Sequence, residues 1–156
     1  MQLHNTHATH NTIDAVLKAK TQQRILSIAP QQTVYEALEK MAAYDVGALL
    51  VLEDGRLVGI LSERDYARRG ILHGLSSRET TVREIMTQQV VTVTPRQAVD
   101  ECMAQMTTHH FRHLPVVEKE QVVGLISIGD LVKWVIRGQQ QAIETLEGYI
   151  VGSYPA

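Results

Sequence analysis

Apolar and polar positions follow one another along this chain in a pattern that occurs twice. Each occurrence begins with a short β-rich run, at residues 25–28 and 90–93, which a proline ends. Apolar residues at helical spacing follow, and they predict an amphipathic helix in each half of the chain. These residues are Val34, Ala37, Leu38 and Met41 in the first half and Val99, Cys102, Met103 and Met106 in the second.

Two apolar runs after each of these helices predict a β-hairpin. The runs are 48–52 and 57–61 in the first half and 114–117 and 122–126 in the second. The first hairpin turn contains Asp54-Gly55, a pair that suits a tight two-residue turn. The second contains Lys119-Glu120 and no glycine, so we expect a different turn type there.

The two halves are copies of one unit, because a shift of 65 residues lays 30–65 on 95–130 without a gap. A second helix should begin near Glu63 in the first repeat and near Ile128 in the second. The unit is therefore β-α-β-β-α, and its consecutive apolar strand residues indicate strands covered on both faces. Roughly 50 residues bury too little surface for secure stability alone. We predict an α/β (α+β) protein whose two repeats pack about a pseudo-twofold axis.

The chain is predicted to have five parts. They are an N-terminal segment, 1–23, partly disordered; the first repeat, 24–73; a connector, 74–88; the second repeat, 89–138; and a C-terminal helix and tail, 139–156. In the connector, Val82, Ile85 and Met86 predict a short amphipathic turn. The tail reads as helical and then extended, and we expect its tyrosines and Ile150 to pack on the module or on a partner subunit.

Composition and charge exclude several classes of function. The net charge of -2 gives no electrostatic reason to expect nucleic acid or an anionic membrane surface. The chain shows no signal peptide and no apolar run long enough to span a bilayer, so we predict a cytoplasmic protein. The single cysteine, Cys102, excludes an intrachain disulfide, and we expect it on the inner face of a helix.

No catalytic or metal-binding signature is present in the sequence. The chain has no nucleophile elbow, no P-loop and no dinucleotide-binding glycine run, so we predict that it is not an enzyme. His4, His7 and His10 are spaced like a metal-binding tract, but their segment is polar and is expected to be disordered rather than metal-bound.

One motif closes each repeat: Gly-hydrophobic-hydrophobic-Ser-x-x-Asp. It occurs as Gly59-Ile60-Leu61-Ser62-Glu63-Arg64-Asp65 and as Gly124-Leu125-Ile126-Ser127-Ile128-Gly129-Asp130. With the proline, helix and hairpin before it, the duplicated unit resembles the CBS domain, and the pair resembles a Bateman module. The resemblance covers residues 24–138.

The resemblance implies that the module holds an adenosine ligand. Asp65 and Asp130 would accept hydrogen bonds from ribose hydroxyls, and Ser62 and Ser127 would reach phosphate oxygens. A helix N-terminus after each serine offers free N–H groups and the positive end of its dipole. The alternative is that each Ser-x-x-Asp only caps its helix, as a capping box does.

Positive side chains near the motifs differ between the repeats. Arg112 and His113 of the second repeat would bring positive charge and hydrogen-bond donors to a phosphate, and arginine matches phosphate by its planar fork of donors. Arg64 lies inside the first motif and is a further candidate. Arg68 and Arg69, one turn later, are equally consistent with a solvated basic face.

We therefore interpret the chain as a stand-alone regulatory module that binds an adenosine nucleotide between the two repeats. AMP, ADP and ATP are the first candidates, and NAD or S-adenosylmethionine are the alternatives. The resemblance implies a homodimer, and a sensor also needs a partner-binding state or an unidentified target protein. The alternative function is a structural homodimerisation or partner-binding module without a ligand.

Overall fold

The computed structural model describes residues 11–20 and 24–152, with the backbone alone at 151 and 152. The described helices are α1 (Ile13–Ala19), α2 (Val34–Tyr44), α3 (Glu63–Asp65), α4 (Val82–Ile85), α5 (Val99–His109) and α6 (Ile128–Gly152). A π-helical turn (Tyr66–Gly70) and a 3₁₀ turn (Ile71–His73) continue α3. The strands are β1 (Ser27–Ile28), β2 (Ala48–Glu53), β3 (Arg56–Ser62), β4 (His113–Glu118) and β5 (Gln121–Ser127).

The first repeat builds a three-stranded sheet in the order β1-β2-β3. Strand β1 is parallel to β2, and β2 is antiparallel to β3. Helix α2 packs its apolar stripe on this sheet, as the helical spacing predicted. The buried core consists of Ile28, Val34, Ala37, Met41, Leu49, Val51, Leu61, Val82, Ile85 and Met86.

The second repeat has the same helix and hairpin and a core of its own. Helix α5 buries Val99, Cys102 and Met106 against β4 and β5. Burial raises the pKa of the Cys102 thiol to about 11, so the residue is protonated and behaves as a small apolar side chain. The α+β class and the duplication are thereby confirmed.

The strand expected at 90–93 does not form. Val93 alone makes a bridge, donating from its N–H to Pro115 O at 3.0 Å and accepting from Val117 N at 2.8 Å. In the first repeat the equivalent ladder continues because Leu50 N donates to Leu26 O at 3.2 Å. Pro115 replaces Leu50 in the second repeat and has no N–H to donate. The missing donor explains why this strand is lost.

The expectation of different hairpin turns is wrong. Both loops have two central residues with positive φ, Asp54 and Gly55 at 51° and 77° and Lys119 and Glu120 at 51° and 65°. A two-residue loop between right-twisted strands requires this geometry whatever residues occupy it. Lys119 and Glu120 therefore adopt a left-handed conformation that glycine or asparagine would adopt at lower cost.

The short helices are exchanged between the repeats. Helix α1 packs on the second repeat, where Ile13 and Val16 join the core, and α4 packs on the first. The hydrogen bonds are equivalent: Ile13 N donates to Gln97 O at 3.0 Å, and Val82 N donates to Gln32 O at 2.8 Å. Each repeat is thus completed by a short helix from outside its own β-α-β-β-α unit. Helix α4 directly follows the first repeat in the chain, whereas α1 lies before the first repeat and packs on the second. The α4 turn confirms the amphipathic segment expected in the connector.

Helix α6 extends well beyond the second repeat. It continues to Gly152, so the extended conformation expected in the tail is not found up to that residue. Tyr149 and Ile150 are 76% and 58% exposed, so neither side chain is buried in the part of the chain that the structure describes. Tyr154 and the tract of His4, His7 and His10 lie outside the described residues.

Candidate functional site

Ser62 and Asp65 form a reciprocal cap at the start of α3, where strand β3 turns into the helix. Asp65 Oδ2 accepts from Ser62 N at 2.9 Å and from Ser62 Oγ at 3.0 Å, and Asp65 N donates to Ser62 Oγ at 3.1 Å. The other carboxylate oxygen, Oδ1, accepts from Thr87 Oγ1 at 3.3 Å. The hydroxyls and amide around Asp65 therefore already occupy both of its oxygens.

Ser127 and Asp130 repeat this arrangement at the start of α6, but with a different third partner. Asp130 Oδ2 accepts from Ser127 N at 2.8 Å, and Asp130 N donates to Ser127 Oγ at 3.0 Å. Lys20 Nζ lies 2.9 Å from the same carboxylate oxygen and donates to Leu125 O at 2.7 Å. The third partner of Asp130 is therefore a cation from the residue after α1, whereas the third partner of Asp65 is a neutral threonine hydroxyl.

The electrostatic surroundings keep Asp130 ionised. Burial raises the pKa of this carboxyl, but the Ser127 N–H and the Lys20 ammonium outweigh burial, and the net change is a lowered pKa. Asp130 is therefore a charged acceptor at neutral pH. A charged carboxylate is suited to accept hydrogen bonds from hydroxyl groups.

A cleft of about 770 Å³ opens between the two repeats. This volume lies within the range of roughly 300–1,000 Å³ that is usual for small-molecule sites. Its walls include Arg24, Leu26, Tyr44, Val46, Gly47 and Ala48 from the first repeat, His113, Leu125, Ser127, Asp130, Lys133, Trp134 and Arg137 from the second, and Leu17, Lys18 and Lys20 from the N-terminal segment.

His113 lies where the two repeats meet. Its Nε2 comes within 3.9 Å of the position that a Cβ on Gly47 would occupy. Burial lowers the pKa of His113. The charge of Asp130 raises this pKa, and the charge of Lys20 lowers it further. The lowered pKa favours the neutral imidazole at pH 7, which offers one hydrogen-bond donor and one acceptor. That His113 brings positive charge to a phosphate stays a prediction.

The cleft brings together three of the seven candidate residues, namely His113, Ser127 and Asp130. Ser62 and Asp65 lie outside its lining, as do Arg64 and Arg112. Arg112 is exposed, and its backbone oxygen accepts from Ile128 N at 2.9 Å. Within the described residues, the Arg64 and Arg112 side chains make no hydrogen bond or ion pair.

Arg69 has a structural contact that the sequence did not predict. Its Nη1 donates to Ile85 O at 3.4 Å and to Met86 O at 3.2 Å, which satisfies carbonyls at the end of α4. Arg68 is exposed, as a solvated basic face requires.

Five basic side chains of the cleft were not predicted from the sequence: Lys18, Lys20, Arg24, Lys133 and Arg137. None lies within the 30–65 and 95–130 alignment, so the duplication gave no signal for them. A second shift, of 69 residues, lays 12–17 on 81–86 with the pattern Thr-Ile/Val-x-x-Val/Ile-Leu/Met. That pattern identifies α1 as the counterpart of α4, and with it the approach of Lys20.

Two classes of feature are absent from the described part of the chain. No helix there combines the length and apolar character needed to cross a membrane. Among the same residues, no group of three histidine, cysteine or acidic side chains is arranged to hold a metal ion.

Comparisons with known proteins agree with the duplicated architecture. The "CBS domain-containing protein CBSX3, mitochondrial" of Arabidopsis thaliana is 38% identical over 151 residues, covering 92% of this chain and 73% of the relative. The structure of a protein with CBS domains from Burkholderia ambifaria MC40-6 matches with a TM-score of 0.80 and 48% identity, covering 82% of this chain and 96% of that one.

A more distant structure has the same fold. The CBS domain pair of protein MJ0100, solved in complex with methylthioadenosine and S-adenosylmethionine, matches with a TM-score of 0.71 and 22% identity over 82% of this chain and 97% of that one. The family model of the CBS domain matches twice, at residues 20–71 and 82–137. The chain therefore belongs to the CBS domain family and contains a pair of these domains, a regulatory type of module.

Proposed function

We propose that this CBS-domain pair is a regulatory module that binds an adenosine-containing nucleotide in the cleft between its repeats. AMP, ADP and ATP are the first candidates, with NAD and S-adenosylmethionine as alternatives. One observation supports this most: Ser127 and Asp130 line a cleft that also contains three cations with no ion pair among the described residues. These cations are Arg24, Lys133 and Arg137.

The ribose is assigned to Asp130. This carboxylate is ionised and half-buried, and it lies beside the open cleft, so two sugar hydroxyls can donate to it. Lys20 already contacts the same oxygen at 2.9 Å. A ribose must therefore displace the Lys20 ammonium or share the carboxylate with it. Asp65 has no such role in this proposal, because it lies outside the cleft lining.

The base and the phosphate are assigned to opposite kinds of surface. Leu26, Val46 and Leu125 provide apolar walls for adenine, as is usual in small-molecule sites. Arg24 and Arg137 provide charge for a phosphate, and Lys133 adds a third cation. S-adenosylmethionine bears a positive sulfonium and gains less from these groups, although the MJ0100 pair was solved with that ligand. Adenosine is the part that all of these candidate ligands have in common.

Binding regulates only if the ligand prefers one of two states of the protein. We propose a homodimer as the unit that changes state, with a separate target protein as its reader. We assign no catalytic step to the cleft, and a cytoplasmic location remains a prediction from the sequence.

A structural module without a ligand is the second candidate, and one observation favours it. Both serine and aspartate pairs form reciprocal hydrogen bonds at helix starts, which is what capping alone requires. In that case both motifs contribute stability and neither binds a nucleotide.

A titration of two matched variants separates these functions. Nucleotide-free protein is titrated calorimetrically with AMP, ATP, NAD and S-adenosylmethionine, and Asp130→Asn is compared with Asp65→Asn. Both variants replace an equivalent capping carboxylate by an amide, but only Asp130 lines the cleft. We expect binding in the wild type and in Asp65→Asn, with an affinity loss of at least about tenfold in Asp130→Asn. If the four ligands leave the wild type unaffected, or if both variants bind equally well, nucleotide binding at this site is refuted.

A further inference from the structure

Helix α1 is anchored on the second repeat, and this anchoring places Lys20 beside the cleft. Ile13 and Val16 of α1 are buried in the core of that repeat. Near the other end of the helix, Leu17 lies against Gly124 so closely that a Cβ on this glycine would come within 2.6 Å of Leu17 Cδ2. The Lys20 side chain therefore reaches the cleft from a helix that is packed in place.

The Lys20 ammonium contacts two oxygen atoms of different kinds. Its Nζ donates to the backbone oxygen of Leu125 at 2.7 Å and lies 2.9 Å from Asp130 Oδ2. An ammonium has three N–H donors and sits on a flexible four-carbon stem. It can therefore keep the carbonyl contact and turn its other donors from Asp130 to a group that is bound in the cleft.

Ribose binding at Asp130 changes what this ammonium contacts. Asp130 Oδ2 already accepts from Ser127 N at 2.8 Å, so the sugar hydroxyls compete with Lys20 for the same carboxylate. The hydroxyls are neutral, and the Lys20 side chain is only 23% exposed, so weakening its ion pair is costly. A phosphate on the same sugar offers the ammonium a second anion, whereas a nucleoside offers none.

The first repeat has no equivalent of this cation. The third partner of Asp65 is the Thr87 hydroxyl, which donates from Oγ1 to Oδ1 at 3.3 Å. A neutral hydroxyl gains little from a nearby phosphate compared with an ammonium. The contact between α1 and the second motif therefore gives that motif a charge that can respond to the charge of a ligand.

We infer that Lys20 selects phosphorylated nucleotides over nucleosides in this cleft. Without nucleotide, the ammonium pairs with Asp130; with nucleotide, it pairs with the ligand phosphate, and the ribose takes its place at the carboxylate. This inference rests on the nucleotide binding proposed above and assigns the selection to a residue outside both motifs. It favours AMP, ADP, ATP and NAD over S-adenosylmethionine, which has no phosphate.

Calorimetric titration of the full chain with AMP and with adenosine tests the inference. We expect the wild type to bind AMP at least about tenfold more tightly than adenosine. Lys20→Met should change the two affinities in opposite directions, with AMP severalfold weaker and adenosine severalfold tighter. Arg137→Met removes another cation of the cleft, so it should weaken AMP binding but should not tighten adenosine binding. Opposite signs are expected only where the cation competes with the ribose.

Arg83→Met is the control, because Arg83 pairs with Glu53 at the surface and neither residue lines the cleft. It should bind both ligands like the wild type. If Lys20→Met keeps the wild-type preference for AMP over adenosine, the inference is overturned and the proposed nucleotide binding stands. A wild type that binds neither AMP nor adenosine refutes both.

The salt dependence of the wild type provides a test without any substitution. Because salt screens the attraction between charges, a higher concentration of sodium chloride should weaken AMP binding. Adenosine binding should not weaken, since salt also screens the attraction between Lys20 and Asp130 that opposes it. Adenosine binding that weakens as steeply as AMP binding would contradict the exchange.

Discussion

Lys20 Nζ lies 2.9 Å from Asp130 Oδ2, and this ion pair joins the end of α1 to the beginning of α6. The two side chains are 23% and 20% exposed, so solvent screens their attraction only in part. The pair connects the N-terminal helix to the residue that we assign to the ribose. Lys20 therefore affects both the stability of the second repeat and access to its carboxylate.

Removing the ammonium of Lys20 should separate these two effects. In Lys20→Met, we expect the free energy of unfolding at neutral pH to fall by about 1 kcal/mol. We expect adenosine, which has no phosphate, to bind severalfold more tightly because no cation competes for Asp130. Denaturant unfolding and calorimetry measure the two quantities. Arg83→Met is the control, since Arg83 pairs with Glu53 at the surface and neither residue lines the cleft. Unchanged or weaker adenosine binding in Lys20→Met would contradict the competition.

The buried imidazole of His113 should make stability depend on pH near neutrality. Burial lowers the pKa of His113 below 6.5, while Asp130 and Asp65 oppose the change and Lys20 and Arg112 reinforce it. The unfolded chain then binds the proton more readily, so this contribution is complete above about pH 6.5 and is lost as the pH falls toward the folded pKa.

Urea unfolding between pH 5 and 8 measures this dependence. We expect the stability of the wild type to fall more steeply below pH 6.5 than that of His113→Gln. His73→Gln, which replaces an exposed histidine, should follow the wild type. Equal slopes for all three proteins would show that His113 titrates alike in the folded and unfolded chains.

Gly59 and Gly124 are equivalent in the two motifs but should tolerate alanine unequally. A Cβ on Gly59 would lie 2.9 Å from the backbone oxygen of Thr87 and 2.7 Å from Met86 Sδ. A Cβ on Gly124 would meet only the Leu17 side chain, at 2.6 Å from Cδ2, and that methyl can rotate away. Thermal unfolding should show a loss of about 1–3 kcal/mol in Gly59→Ala and a smaller one in Gly124→Ala. The reverse order would mean that α1 is held more rigidly than α4.

The second hairpin offers a stabilising substitution. Glu120 has a φ of 65°, a conformation that glycine adopts without the Cβ penalty. Glu120→Gly should raise the free energy of unfolding by about 1 kcal/mol, less the added freedom of the unfolded chain. Glu118→Gly, at the end of strand β4, should lower it. A Glu120→Gly protein less stable than the wild type would show that the glutamate side chain contributes more than its backbone strain costs.

The repeats and most of their helices and strands could be predicted from the sequence. Apolar residues recur at the spacing of the element that buries them, so the spacing identifies the element. Helices α2 and α5 bury Val34, Met41, Val99 and Met106 as their spacing predicted. The loss of the strand at 90–93 could not be read from its own residues. It depends on Pro115, which is distant in sequence and acts by a missing N–H group.

The candidate site was predicted only in part for a related reason. The duplication presents Asp65 and Asp130 as equals, but the described cleft is lined by one motif and not by the other. The third partner of each carboxylate also differs, Thr87 for Asp65 and Lys20 for Asp130, and both partners lie outside the aligned repeats. The packing of the whole chain decides which of the two motifs lines the cleft. The pattern of residues within one repeat therefore cannot predict it.

The exchange of α1 and α4 also determines the order in which the protein can be completed during synthesis. The first repeat has all of its parts once Met86 has left the ribosome, because α4 follows it in the chain. The second repeat must recover α1, made more than 100 residues before Leu131 of its core. Ile13 and Val16 therefore stay unburied until the last residues of their core leave the ribosome. A nascent chain that is interrupted before α6 leaves both side chains exposed to solvent and to other chains.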